Sequence, residues 1–160
     1  MPSRLITLED SEILALTQDA RIAAVRWDAI PWCLVFDLDA PISEAHRAPM
    51  RRAWIVFHGV SELSFPAQDA RLPNGCWLTS TASSTVVGDF REFCVLALMP
   101  RFIGSESSPS SAVEKIVIRA KKVIGIVSSA SAAPGDSGLT WENRIALATD
   151  EEMRAAVGPM

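Results

Sequence analysis

Tyrosine is missing from this chain, and histidine nearly so: His46 and His58 are its only two imidazoles in 160 residues. A histidine-dependent chemistry therefore has two positions to choose from. Cysteine is scarce as well, with Cys33, Cys76 and Cys94. The count is odd, the spacings are wide and no C-x-x-C occurs, so no zinc-knuckle or redox-pair motif is present. Buried thiols in a reducing compartment are the expectation. No apolar run approaches the ~20 residues of a membrane span. Glu9, Asp10 and Glu12 stand where an export signal would need an apolar stretch, so a cytoplasmic location is expected. A basic stripe is lacking too. Fifteen Lys and Arg stand against 19 Asp and Glu, a net charge of −4, which argues against a general nucleic-acid binder. No phosphate loop and no alternating βαβ pattern appear, so a parallel sheet is not expected.

What is present is an ordinary globular balance, 49% hydrophobic and 21% charged. That is enough for one domain over residues 1–160 with a core of its own. Thr7 and Asp10 have capping-box spacing, and Ile13, Leu14 and Leu16 follow, so a helix is predicted over about 8–19. The period then changes to two. "IAAVRWD" (22–28) reads as a strand. "PWCLVFDLDA" (31–40) reads as another, with Trp32, Leu34, Phe36 and Leu38 on one face and Cys33, Val35, Asp37 and Asp39 on the other. The proline-flanked stretch 41–49 is expected to be a loop. Residues 51–65 form a second strong strand, bent or bulged at Gly59.

Pro73-Asn74-Gly75 is a turn signal. "TSTASSTVVGD" (79–89) suggests an edge strand, and "FREFCVLALM" (90–99) a strand covered on both faces. The serine-rich 104–112 is expected to be a loop. In 114–128, Ile116, Ile118, Ala120, Ile124 and Ile126 alternate with Lys115, Arg119 and Lys121. Lys122 interrupts the apolar set, so a bend is predicted near 121–123. A last strand within 139–149 and a short helix over 150–157, capped by Thr149 and Glu152, complete the pattern. The fold class is mainly β (α+β): an antiparallel sheet, as a sandwich or a partly closed barrel, with an N-terminal and a short C-terminal helix.

Gly135-Asp136-Ser137-Gly138 is the string around the nucleophile of trypsin-like proteases. A serine nucleophile needs a base within reach and an acid to orient it. His46 lies in a proline-flanked stretch and His58 in "VFHGV", neither of them the context such proteases use, and Leu139-Thr140-Trp141 follows where Gly-Pro is usual. These four residues, of three types, are also favoured turn formers, and a turn is the better reading. Asp37 and Asp39 lie two apart on one strand face, a spacing that suits a solvated strand end better than a pair of acids facing each other across a cleft. No catalytic, cofactor-binding or metal-ligating residue is assigned. Among the five tryptophans, Trp27, Trp32, Trp54, Trp77 and Trp141, Trp54 shares a face with His58 and is the expected exposed anchor. With the acidic groups Asp37, Asp39 and Glu44 it makes the candidate partner-binding set, suited to a basic partner by electrostatic steering.

"RWDAIPWCLVFDLDAP" followed by "RRAWIVFHGVSELSF" resembles small bacterial immunity proteins encoded beside polymorphic toxins. An apolar strand ends in an Asp-rich turn, and a paired-arginine start leads to Phe-x-Gly-Val; here these are Arg51, Arg52, Phe57, Gly59 and Val60. The resemblance covers about residues 26–65. It implies a non-enzymatic role, binding and blocking a cognate toxin in the cytoplasm, and carries over no catalytic residue. Two other expectations stand beside it. One is a small-molecule-binding β-barrel or barrel-like enzyme, with a cavity lined by Trp32, Phe36 and Phe93. The other is a scaffold or subunit that self-associates at a strand edge.

Overall fold

Period-two alternation over long segments makes strands, and the described residues include five strands of eleven or more residues. The computed structural model describes residues 5–18, 20–43, 46–65, 77–101, 110–128 and 148–159. Its elements are β1 (Leu5–Leu8), α1 (Asp10–Thr17), β2 (Arg21–Arg26), β3 (Cys33–Ser43), β4 (His46–Ser64), β5 (Trp77–Val87), β6 (Phe90–Arg101), β7 (Ser110–Ser128) and α2 (Asp150–Val157). The fold is mainly β with two helices. All seven strands pair antiparallel in the order β1-β7-β4-β3-β2-β5-β6, and β6 also returns to β7. The sheet is thus strongly curled. It stops short of a regular closed barrel: among the described residues β2 and β5 pair at two positions, Arg21 with Leu78 and Ile22 with Trp77, beside a bond from Thr79 N to the Ala20 carbonyl at 2.8 Å.

The long strand β7 serves both sides of the curl. Ser110 to Ala120 pairs with β6, and Val117 to Val127 pairs with β4. The predicted bend falls just past the last β6 pair, Ala120, while pairing with β4 continues across it. Gly59 on β4 adopts φ 66°, a left-handed conformation that glycine takes without the steric cost of a Cβ. Opposite it, Lys121 and Lys122 are both exposed. Inward residues are consequently three apart here, Phe57 then Val60 and Ala120 then Val123. The bend therefore reverses the faces. Ile116, Ile118 and Ala120 lie inside the curl, whereas Ile124 and Ile126 lie outside it, against the single face their alternation predicted.

Two apolar layers result. Inside the curl, Ile22, Leu34, Phe36, Leu38, Ile55 and Phe57 pack with residues of β6 and β7. Phe36, Phe57 and Phe93 form an edge-to-face ladder with centroids 5.1 and 5.4 Å apart. Helix α1 closes this layer. Ile13 is buried against β7, where a Cβ on Gly125 would come within 2.5 Å of its Cγ1. Outside, Cys33, Val35, Trp54, Val56 and Ile126 are covered by α2 through Met153. The Thr149–Glu152 capping box predicted for α2 is formed, with Thr149 N donating to Glu152 Oε2 at 2.8 Å and Glu152 N donating to Thr149 Oγ1 at 3.2 Å.

Several local expectations are corrected. The first helix starts at Asp10, not near residue 8, because Leu5–Leu8 is taken up by pairing with β7; Glu9 is its N-cap, with Glu9 N donating to Glu12 Oε2 at 2.7 Å. Residues 41–43 and 46–49 extend the β3–β4 hairpin, with Pro41 opposite Met50 and Ser43 opposite His46. Among the described residues β5 pairs with β2 at its first two positions, bonds the Ala20 carbonyl through Thr79 N, and is an edge strand beyond that. Strand β6 is buried on one face, through Phe93, Val95 and Ala97, while Cys94 and Leu96 are half-buried. Its apolar run reflects that half-exposed outer face. The turn at 73–75, the serine-rich segment 104–109, the strand proposed within 139–149, Glu44, Cys76 and Ser137 lie outside the described residues.

Candidate functional site

Alternation places Asp37 and Asp39 on the outer face of β3, and the β3–β4 register sets Asp37 opposite Trp54 and Asp39 opposite Arg52. The expectation of a solvated strand end is not met, since Asp37 and Asp39 are each 3% exposed and Trp54 is fully buried. Asp37 is held by Arg52, which ties it to the start of α2. Arg52 gives Nε and Nη2 to the two Asp37 oxygens at 3.3 and 3.0 Å. Its Nη1 reaches the Ala148 carbonyl at 2.7 Å, and its Nη2 also reaches Asp150 Oδ1 at 2.5 Å. Arg26 adds a bond to Asp150 Oδ2 at 2.9 Å. Both guanidiniums lie over the Trp54 ring, at 5.9 Å for Arg26 and 5.4 Å for Arg52.

Burial would raise the Asp150 carboxyl, but hydrogen bonds and charge from Arg52 and Arg26 outweigh it and hold the group below the ordinary aspartate range. Burial likewise opposes the charge on Arg52, and Asp37 and Asp150 restore it. This cluster fastens α2 to the sheet. Asp37, Asp39 and Trp54 are thus buried, and the expectation of Trp54 as an exposed anchor is corrected. Trp54 Nε1 is buried with no hydrogen-bond partner among the described residues.

The exposed tryptophans are elsewhere. The β2–β3 connection, residues 27–32, begins and ends with tryptophan. Trp27 is 55% exposed and Trp32 is 89% exposed. Trp32 also has φ 64°, a conformation that bulky residues rarely adopt and that costs on the order of 1 kcal/mol or more. Between them, Ala29 and Ile30 are buried in the outer apolar layer. Cys33 N donates to the Ile30 carbonyl at 3.2 Å, and Arg154 Nε of α2 donates to the Ala29 carbonyl at 2.6 Å. The connection is thus braced from beneath while its indoles face water. Alternation had put Trp32 on the inner face with Leu34 and Phe36. The strand begins one residue later, at Cys33, and the pattern does not extend back to Trp32. The signal available in the sequence was Trp27-Asp28 and Pro31-Trp32 bracketing a short turn.

Other candidates are less developed. His58 is half-buried on β4, opposite Cys33 and Lys122. Burial raises the Cys33 thiol. Arg119 pairs across three strands, with Glu62 at 3.1 Å and Glu92 at 2.8 Å. Among the described residues, no three of His, Cys, Asp and Glu gather as a metal site. No described helix is long and apolar enough to cross a membrane. Beside Phe93, between α1 and the sheet, a cavity lined also by Ile13, Leu14 and Val123 measures about 10 Å³, room for about one water. Compared with protein-family models, with curated proteins and with solved structures, the chain finds no match in any of the three.

Proposed function

We propose that this chain is a non-enzymatic protein-binding domain of the immunity type, neutralising a cognate bacterial toxin in the cytoplasm. One observation carries the protein-binding reading: Trp32 is 89% exposed, at a strained φ, on a connection whose centre is buried. A folded chain gains nothing in stability from leaving a large apolar ring in water at a conformational cost. Strain of this kind persists at sites where it serves recognition. Tryptophan is the side chain most enriched at binding hot spots, and a braced loop loses little entropy when it docks. The same connection lies inside residues 26–65, the stretch that resembles immunity proteins.

The reading is tested by co-expression with the product of the neighbouring gene. Relief of toxicity and a stable complex are expected, and Trp27→Ala with Trp32→Ala abolishes both while leaving the melting temperature nearly unchanged. A complex that survives the double substitution, or no complex at all, overturns it.

A second reading has its own observation. Beyond Thr79, β5 is an edge strand among the described residues, and Val86 near its end is 72% exposed. Symmetric pairing of two such edges would make the chain a subunit of a larger assembly. Light scattering separates the two, since a monomer in the micromolar range rejects the assembly.

A further inference from the structure

Trp27 is followed directly by the carboxylate of Asp28, on the short connection that Trp32 ends. The Asp28 side chain is 79% exposed, and α2 opens with Asp150, Glu151 and Glu152, the last two exposed. Arg26 holds the loop and the helix together, with Nε 3.2 Å from Asp28 Oδ1 and Nη1 2.9 Å from Asp150 Oδ2. Loop carboxylate and helix first turn therefore lie at one place. Arg154, the basic residue of that helix, is turned toward the Ala29 carbonyl.

The chain's own interior displays what an indole beside carboxylates accepts. At Trp54, guanidiniums of Arg52 and Arg26 lie over the ring while Asp37 and Asp150 take their N–H groups. The indole face carries the negative end of a quadrupole, and a planar cation satisfies the ring and the carboxylate together. At the surface the same two kinds of group are presented to solvent, on a chain of net charge −4.

We infer that the surface made by Trp27, Asp28, Trp32 and the first turn of α2 receives arginine or lysine side chains from a basic segment of a partner protein. The inference rests on the protein-binding reading and narrows it to a class of partner. The braced loop supplies the geometry in advance, so the cations meet rings that are already placed.

The test uses the full chain and three synthetic decapeptides: one alternating arginine and leucine, one with glutamate for arginine, and one with neutral citrulline for arginine. Indole N–H resonances are followed by NMR and assigned with Trp27→Phe and Trp32→Phe. The arginine peptide is expected to shift the Trp27 and Trp32 signals and leave Trp54 unmoved. Trp32→Ala weakens it by about fivefold or more, and Asp28→Asn by about two- to threefold. Raising salt to about 0.3 M weakens it severalfold. Equal binding of the glutamate or citrulline peptide, shifts confined to other tryptophans, or no binding of the arginine peptide each overturns the inference. In those cases the protein-binding reading still stands or falls on complex formation with the toxin, which is measured separately.

Discussion

Phe36 and Asp37 are neighbours in sequence and lie on opposite faces of the same strand. On the inner face, β3 and β4 present Leu34, Phe36, Leu38, Ile55 and Phe57, packed in one cluster of apolar side chains. On the outer face the same two strands present Cys33, Val35, Asp37, Asp39, Trp54 and Arg52, also buried, yet with charges that must be answered one by one. Both faces exclude water, and they do so by different physics. The inner layer is non-directional and tolerates any filling of the right volume. The outer layer is directional: Arg52 satisfies Asp37, Ala148 and Asp150 together only if α2 lies in one place. Hydrophobic burial sets that the sheet curls, and the ion network sets where the last helix docks.

Substitutions that remove one kind of contact and leave the other sharpen that difference. The largest effect belongs inside. Phe57 is fully buried between Phe36 and Phe93, and Phe57→Ala leaves a cavity the curled sheet cannot close. A loss of about 3–5 kcal/mol is expected from chemical denaturation, with the whole sheet melting as one unit.

The outer face should respond in another manner. Arg52→Met removes the two-bond partner of the buried Asp37 carboxylate, which keeps the longer 4.0 Å contact with Arg26, and costs about 3 kcal/mol. Adding Asp37→Leu removes the weakly answered charge and recovers most of that loss. No second substitution at an inner position rescues Phe57→Ala in this way. If the double variant is no more stable than Arg52→Met alone, the directional account of the outer face is wrong.

Sequence reading reaches the two faces unequally for the same reason. Apolar alternation is a local property, and it marked β3, β4 and the inward residues of β7 up to Ala120. It also located the bend near 121–123, because Lys122 falls where an apolar residue belongs. It did not show that the bend reverses the faces, since the phase after a bend depends on the partner strand and on Gly59. Likewise, alternation correctly turned Asp37 and Asp39 outward. The network that holds Asp37 runs through Arg52 to Asp150, more than a hundred residues away, and no local pattern reports a partner that distant. The surface role passed from Trp54 to Trp32 on similar grounds. A one-residue difference in where β3 begins decides whether Trp32 continues the inner face or leaves the strand altogether. Glu44, the remaining member of the expected binding set, lies outside the described residues.

A smaller effect separates the faces by pH. The folded Asp150 carboxyl titrates below its unfolded value because Arg52 and Arg26 hold it ionised against burial. A depressed carboxylate contributes stability that is fully present above the unfolded value of about 3.9 and is lost as pH falls through the folded one. Below about pH 4, then, α2 loosens first. Amide exchange in residues 150–157 should accelerate before that of β3 and β4, and Asp150→Asn should flatten the difference. Simultaneous acid loss of helix and strands would show that the outer layer has no separate stability.

The smallest effect has the opposite sign and bears on function. Trp32 contributes little burial at 89% exposure, and it holds φ 64° at a conformational cost. Asparagine adopts left-handed backbone far more readily. Trp32→Asn should therefore stabilise the fold by about 0.5–1 kcal/mol, seen as a small rise in melting temperature, while complex formation is lost. A residue whose replacement improves the fold and removes binding is kept for what it contacts outside the chain. Should Trp32→Asn destabilise instead, the ring is making contacts that its exposure does not reveal, and the strained indole loses its standing as a recognition element.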